Sequence, residues 1–242
     1  MLLAAVGVTG NLGVAVFVSS AQAADVALTS DQTAAIAAAV RTALANIDPS
    51  LTGAAKEQAI AQALAKATTD AIGIYGSGAI AAVAAGAIAA GVPAAQVVAA
   101  VLPAAVGISG VSASLAVRYV MLGAVSAGAS PTVVAEAIIT TSANSQLAPG
   151  AVGTGLGAAA AELAKTDPDG ASAIAQVVSN EGTAGMGQSF ASSVLNNGGS
   201  QQLANAGRQN PNATGETTEP GGEQEEGTGG TTLPPCTNPS CT

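Results

Sequence analysis

Alanine dominates this chain and favours helical structure. About a quarter of its 242 residues are alanine, whereas charged residues make up 9% and aromatic residues 2%. Alanine has the highest helix propensity of all residues, and the larger aliphatic side chains recur at helical spacing, as Ile36, Val40 and Leu44 do. The composition therefore predicts helices that pack through thin side chains, each of which buries little apolar area.

Helix-breaking residues divide the alanine-rich part into segments of single-helix length. Proline suits the first position of a helix, because no amide partner is needed there, and a preceding aspartate or serine can cap the helix. Such breaks occur at Asp48-Pro49, Val92-Pro93, Ser130-Pro131 and Asp167-Pro168. We predict nine helices, near residues 31–46, 53–71, 78–90, 93–107, 111–128, 131–143, 150–165, 169–180 and 184–195. The expected fold class is all-α, either an Ala/Gly-rich bundle or a short stack of α-hairpins.

Weak internal similarity bears on the choice between these two arrangements. The stretch LANIDPS at 44–50 is similar to LAKTDPD at 163–169, and AIAQAL at 59–64 is similar to AIAQVV at 173–178. A repeated hairpin of about 40 residues would explain the first offset. The two offsets differ, however, so we slightly favour a similarity of composition alone.

The N-terminal segment has the pattern of a secretory signal peptide. Residues 2–18 are almost entirely apolar, and small side chains follow at Ala21 and Ala23, the positions that a signal peptidase reads. We expect residues 1–23 to be the leader, with cleavage leaving Ala24 as the new start. A membrane anchor or a buried helix is the alternative, although the glycines of this segment make it a poor membrane span.

The two ends of the mature chain differ from its helical domain. We expect residues 24–30 to be a short linker and residues 31–197 to be the domain. Residues 198–242 are rich in Gly, Pro, Thr and Glu and have little to bury, so we predict a disordered acidic tail. Cys236 and Cys241 are the only cysteines, and in an exported protein they suggest a disulfide, within one chain or between two.

Residues able to perform catalysis are scarce. The chain has no histidine, which is the most frequent general base and metal ligand. We therefore expect no metal and no cofactor, and rank an enzyme last among the functions considered. A carboxylate of Asp48, Glu136 or Asp169 facing another in a deep cleft would reopen that class. Only six lysines and arginines occur, against a net charge of −9, which disfavours binding to nucleic acid.

Two glycine-containing motifs have both a functional and a structural interpretation. Gly153, Gly155 and Gly157 stand near a predicted helix start, where phosphate can bind, but no strand precedes them and no lysine follows. We favour a flexible loop and a notch for close helix packing at these glycines. The stretch TDPDG at 166–170 lacks the glutamate that a calcium loop needs at its twelfth position, so we favour a helix cap.

Arg118 and Glu136 form the one candidate pair of buried charges. Each is the only charge in a strongly apolar predicted helix, and the two helices are consecutive. Across the intervening turn the two residues lie within about one helical turn of each other in height, roughly 5 Å. We therefore predict a possible ion pair that joins the two helices of a hairpin.

Residues 71–117 are 47 consecutive residues without a formal charge. Small residues recur there at four-residue spacing, which allows close contact between helices in membranes, but the predicted helices are too short to span a bilayer alone. We favour a central pair of packed helices over membrane insertion.

The sequence thus predicts an exported, non-catalytic structural or interaction protein of the periplasm, cell surface or medium. Its partner would be a protein or a second copy, bound through small-residue helix faces. The alternative is a membrane-active, pore- or bacteriocin-like protein that inserts residues 71–117.

Overall fold

The computed structural model describes residues 28–208, of which 78% are helical and none lies in a strand. The all-α fold class is confirmed, and each of the nine predicted helices occurs within four residues of its expected bounds. The ten helices are α1 (Ser30–Ala45), α2 (Gly53–Tyr75), α3 (Ala79–Ala89), α4 (Ala94–Val106), α5 (Ala113–Ser126), α6 (Pro131–Asn144), α7 (Pro149–Leu163), α8 (Pro168–Glu181), α9 (Ala184–Asn196) and α10 (Gln201–Arg208).

The helices form two layers. Helices α1, α3, α5, α7 and α9 lie side by side in the odd layer, and the even-numbered helices form the other layer. Most helices pack chiefly against the helix two places along the chain, and less against the one that follows directly. Helices α3, α5, α7 and α9 begin at intervals of 34, 36 and 35 residues. The fold is therefore a short stack of five α-hairpins, one of the two arrangements expected from the sequence.

The similar sequence pairs occupy equivalent places three hairpins apart. Residues 44–50 cover the end of α1 and the turn that follows, as residues 163–169 do for α7, and the second pair lies within α2 and α8. The offsets differ mainly because α2 begins five residues after Asp48, whereas α8 begins directly after Asp167. The structure thus favours a repeated hairpin as the origin of the similarity, and not the similarity of composition alone that the differing offsets suggested.

The aspartates of the two aspartate-proline turns make different hydrogen bonds. The carboxylate of Asp167 accepts a hydrogen bond from the N–H of Gly170 at 2.9 Å, so it caps α8 as expected. The carboxylate of Asp48 instead accepts from the N–H of Ser50 at 2.8 Å, within a turn that ends before α2 begins. Only Asp167 therefore satisfies a free amide of a helix N-terminus.

Glycines let the backbones of the odd layer touch. A Cβ at Gly123 of α5 would overlap the carbonyl oxygen of Ala81 in α3. A Cβ at Gly155 of α7 would overlap the carbonyl oxygen of Ser114 and the side chain of Val117, both in α5. Neighbouring helices in this layer therefore approach more closely than alanine would allow.

The closest packing in the stack joins α7 and α9. Gly153 lies against the carbonyl of Met186, and Gly157 lies one turn further along against the carbonyl of Phe190. The two helices run in the same direction at this contact, because both pairs of residues advance by one turn. The close packing predicted for these glycines is confirmed, but the predicted loop is wrong, because all three lie within α7, which begins at Pro149.

The uncharged stretch lies mainly in the second of the five hairpins, between the first and the third, rather than at the centre of the stack. Helices α3 and α4 belong to it, and most of their larger side chains are fully buried against other helices of the same chain, including Ile80, Val83, Val97, Val101 and Leu102. Within residues 28–208, no helix is both long enough and apolar enough to cross a membrane.

A tenth helix lies in the range that the sequence had placed in the tail. Helix α10 buries Leu203, Ala204 and Gly207 against α8 and α9, so the packed chain continues to Arg208 rather than ending at residue 197. The periodicity was missed because these eight residues carry only one large apolar side chain. The predicted leader, the cleavage positions Ala21, Ala23 and Ala24, and the cysteines Cys236 and Cys241 lie outside the described residues.

Candidate functional site

Arg118 pairs with a carboxylate that the sequence did not indicate. Its Nη2 donates to Oε2 of Glu162 in α7 at 2.8 Å. Glu136 is half-buried on α6 and, within the described chain, forms no ion pair with Arg118. The predicted pairing across the α5–α6 hairpin is therefore replaced by a pairing within the odd layer.

The stacking of alternate helices explains this difference. Helix α5 packs more closely on α7 than on α6. Ser114 meets Gly155 at the contact, and Arg118 and Glu162 follow one and two turns further along their helices. Their side chains are 28% and 47% exposed, so the pair lies in partly screened surroundings and contributes at most about 1 kcal/mol.

A groove of about 400 Å³, with several polar residues in its lining, lies beside this pair, across α5, α7 and α9. Several of its hydroxyl and amide groups form hydrogen bonds with backbone groups of the surrounding helices. Ser193 Oγ donates to the carbonyl of Thr154 at 2.7 Å, and Asn197 Nδ2 donates to the carbonyl of Ser193 at 2.8 Å. Ser112 caps α5 by accepting from the N–H of Leu115. The bond from Ser193 to Thr154 joins α9 to α7, and the other two satisfy backbone groups at the ends of single helices.

The carboxylates that would have reopened the enzyme class do not meet in a cleft. Asp48 and Asp169 are exposed, and Glu136 is half-buried. In the described part of the chain, no group of three or more histidine, cysteine, aspartate or glutamate side chains is placed to hold a metal ion. The backbone N–H of Ser50, followed by its side chain, holds the pKa of Asp48 below its ordinary value of 3.8.

A second groove of about 460 Å³ lies between α1 and α2, and we call it the end groove. Its lining comes from the first hairpin alone, because α3 and α4 cover the other side of α1 and α2. Ile74, at one end of the groove, is 71% exposed, and the ion pair of Lys66 and Asp70 forms part of the rim. The small lining residues are Ala35, Ala39, Ala43, Ala63, Ala67 and Ala71.

The opposite end of the stack has a polar surface. Helix α10 exposes Gln201, Gln202, Asn205 and Arg208, and Gln201 Nε2 donates to Oδ1 of Asn205 at 3.0 Å. Helix stacks need such a polar outer face on a terminal hairpin to shield their apolar interior. The first hairpin offers an alanine-lined groove with an exposed isoleucine instead, so the described stack is capped at one end only.

The sequence anticipated the chemistry of the end groove but not its place. Small-residue helix faces were expected to bind partners, yet such faces occur on nearly every helix. The missing signal was position in the stack. The first and last hairpins each have a described neighbour on one side only, and of these two the first has the alanine-lined groove on its outer side. Comparisons of the chain with protein-family models, with curated proteins and with solved structures gave no match.

Proposed function

We propose that this is an exported, non-catalytic interaction protein, which binds an α-helix of a protein partner or of a second copy in its end groove. The supporting observation is the difference between the two ends of the stack. An alanine floor lets a helix backbone approach closely, and one exposed aliphatic side chain supplies an anchor, as in other helix-in-groove recognition. Exposed apolar surface of this kind commonly marks an interaction site.

The first experiment tests the groove in self-association. Sedimentation of the exported protein over a range of concentrations would reveal a dimer. Ala39→Glu places a charge in the groove and should weaken that dimer by at least tenfold, because an unpaired charge would be buried against the partner. Ala38→Glu is the matched control, since Ala38 is exposed on the same helix but does not line the groove.

The second experiment applies if the protein is monomeric. A photo-crosslinking amino acid at position 39 should give a discrete protein adduct in the producing cells, and the same group at position 38 should give much less. Identical adducts at both positions, or none at either, would contradict the proposal. Release of dye from lipid vesicles by the purified protein would instead favour the membrane-active alternative.

Export is tested separately. Mass spectrometry of the protein recovered outside the cytoplasm should give a chain that begins at Ala24, as small residues at Ala21 and Ala23 predict. An intact leader on protein confined to the cytoplasm would contradict this part of the proposal while leaving the groove experiments valid.

A further inference from the structure

The rim of the end groove is self-complementary along α2. Lys66 and Asp70 both line the groove, and their side chains are 76% and 56% exposed. A two-fold axis level with residue 68 would set a second copy of α2 antiparallel to the first. Lys66 of each copy would then lie level with Asp70 of the other, so opposite charges would meet twice. A parallel copy would instead bring the two Lys66 side chains together, and like charges repel.

The same register places a large side chain against a small one. Ile74 lies six residues beyond the axis, so it comes within one residue, or about 1.5 Å, of the level of Ala63 in the other copy. Ile74 is 71% exposed, and Ala63 is a half-buried part of the groove lining. A large aliphatic side chain packs into the notch that small residues leave on a helix surface. The charges and the apolar contact therefore select one register independently.

The two ends of the stack favour a second copy as the occupant. Two copies joined through their first hairpins form one stack of ten hairpins, with the polar face of α10 at both ends. Joining the first hairpin of one copy to the last hairpin of another would instead bury Gln202 and Asn205 against alanine. That arrangement would also leave one end groove open, because head-to-tail contacts in a straight stack do not close. The symmetric contact covers both grooves.

We propose that the end groove binds a second copy of this chain, in a two-fold symmetric dimer whose α2 helices run antiparallel. This inference rests on the proposed function, because it names the helix that the groove binds. The alanine floors of the two grooves form the shared interior, and Ile74 of each copy fills part of it. Lys66 and Asp70 of both copies form a cluster of four charges of alternating sign, which stabilises more than a single exposed pair does.

Two charge-reversed variants of the whole exported protein test the register. Lys66→Asp makes the rim acidic and Asp70→Lys makes it basic, so each variant alone should dimerise at least about tenfold more weakly, because like charges meet twice. An equimolar mixture should dimerise with a Kd within about threefold of that of the unmodified protein, since the acidic rim then faces the basic one. Both variants lack the ion pair within α2, so recovery on mixing can come only from contact between copies.

Sedimentation at several concentrations measures these dimers. A reducing agent prevents a disulfide from Cys236 or Cys241 from linking two chains. Arg41→Asp is the matched control, because it makes the same change of charge at an exposed position of α1 that does not line the groove. It should leave the Kd of the unmodified protein unchanged.

The outcomes separate this inference from the proposed function. Variants that stay monomeric on mixing, or assemblies larger than a dimer, would overturn the symmetric register. A monomeric unmodified protein would overturn the second copy as occupant. If that monomer still gave a discrete adduct with another protein from position 39, the proposed function would stand and only this inference would fail. A monomer with no adduct at that position would overturn both.

Discussion

Replacing Gly123 by alanine should destabilise the protein although it improves the helix. In an isolated helix the substitution would stabilise by about 1 kcal/mol. In the stack, the new methyl group would overlap the backbone of Ala81. A helix backbone cannot relieve such an overlap by changing rotamer, as a flexible side chain can. Overpacking costs about 1–3 kcal/mol, and contact with backbone places this site at the upper end. We expect a net loss of about 2 kcal/mol.

Thermal unfolding followed by circular dichroism measures this effect. For a chain of this size, 1 kcal/mol shifts Tm by about 2–4 °C, so Gly123→Ala should lower Tm by about 4–8 °C. Gly73→Ala is the matched control, because Gly73 lies within α2 with nothing within 4 Å of a Cβ. It should raise Tm by about 2–4 °C through helix propensity alone. An unchanged or raised Tm for Gly123→Ala would refute the argument that backbone contact sets the packing of the odd layer.

Three further predictions follow from local geometry. Asp167→Ala removes the cap of α8 and should cost about 1 kcal/mol in urea unfolding, whereas Asp48→Ala removes no helix cap and should cost clearly less; equal losses would contradict the distinction. Phe190→Ala removes the largest fully buried side chain of residues 28–208 and should cost about 3–5 kcal/mol, and a loss below about 1 kcal/mol would mean that the helices close around the space. NMR titration should give Asp48 a pKa below 3.8, and Ser50→Ala should leave most of that shift, because the backbone N–H of residue 50 is its main cause. Since the folded pKa is the lower one, the carboxylate stabilises the fold above the unfolded pKa, and this contribution is lost as pH falls through the folded value.

Most of the candidate site was beyond sequence reasoning, and Arg118 shows why. Its pairing with Glu136 was argued from a hairpin in which consecutive helices meet most closely. The stack brings alternate helices together instead, so the partner is Glu162, 44 residues away. The signal that could have revealed this was the recurrence of similar segments at equivalent helix ends, which we discounted because their offsets differed.

The sequence by itself determined the fold class and the position of nearly every helix, because helix propensity, proline at the first position and side-chain caps act within about four residues. Helix α10 was the exception, since its existence depends on the hairpin that buries Leu203. Tertiary structure alone decided which glycines touch another backbone, which carboxylate binds Arg118, and which alanine face stays open at the end of the stack. Alanine-rich helix faces are nearly identical in sequence, so only their order of packing distinguishes a buried face from one that is free to bind.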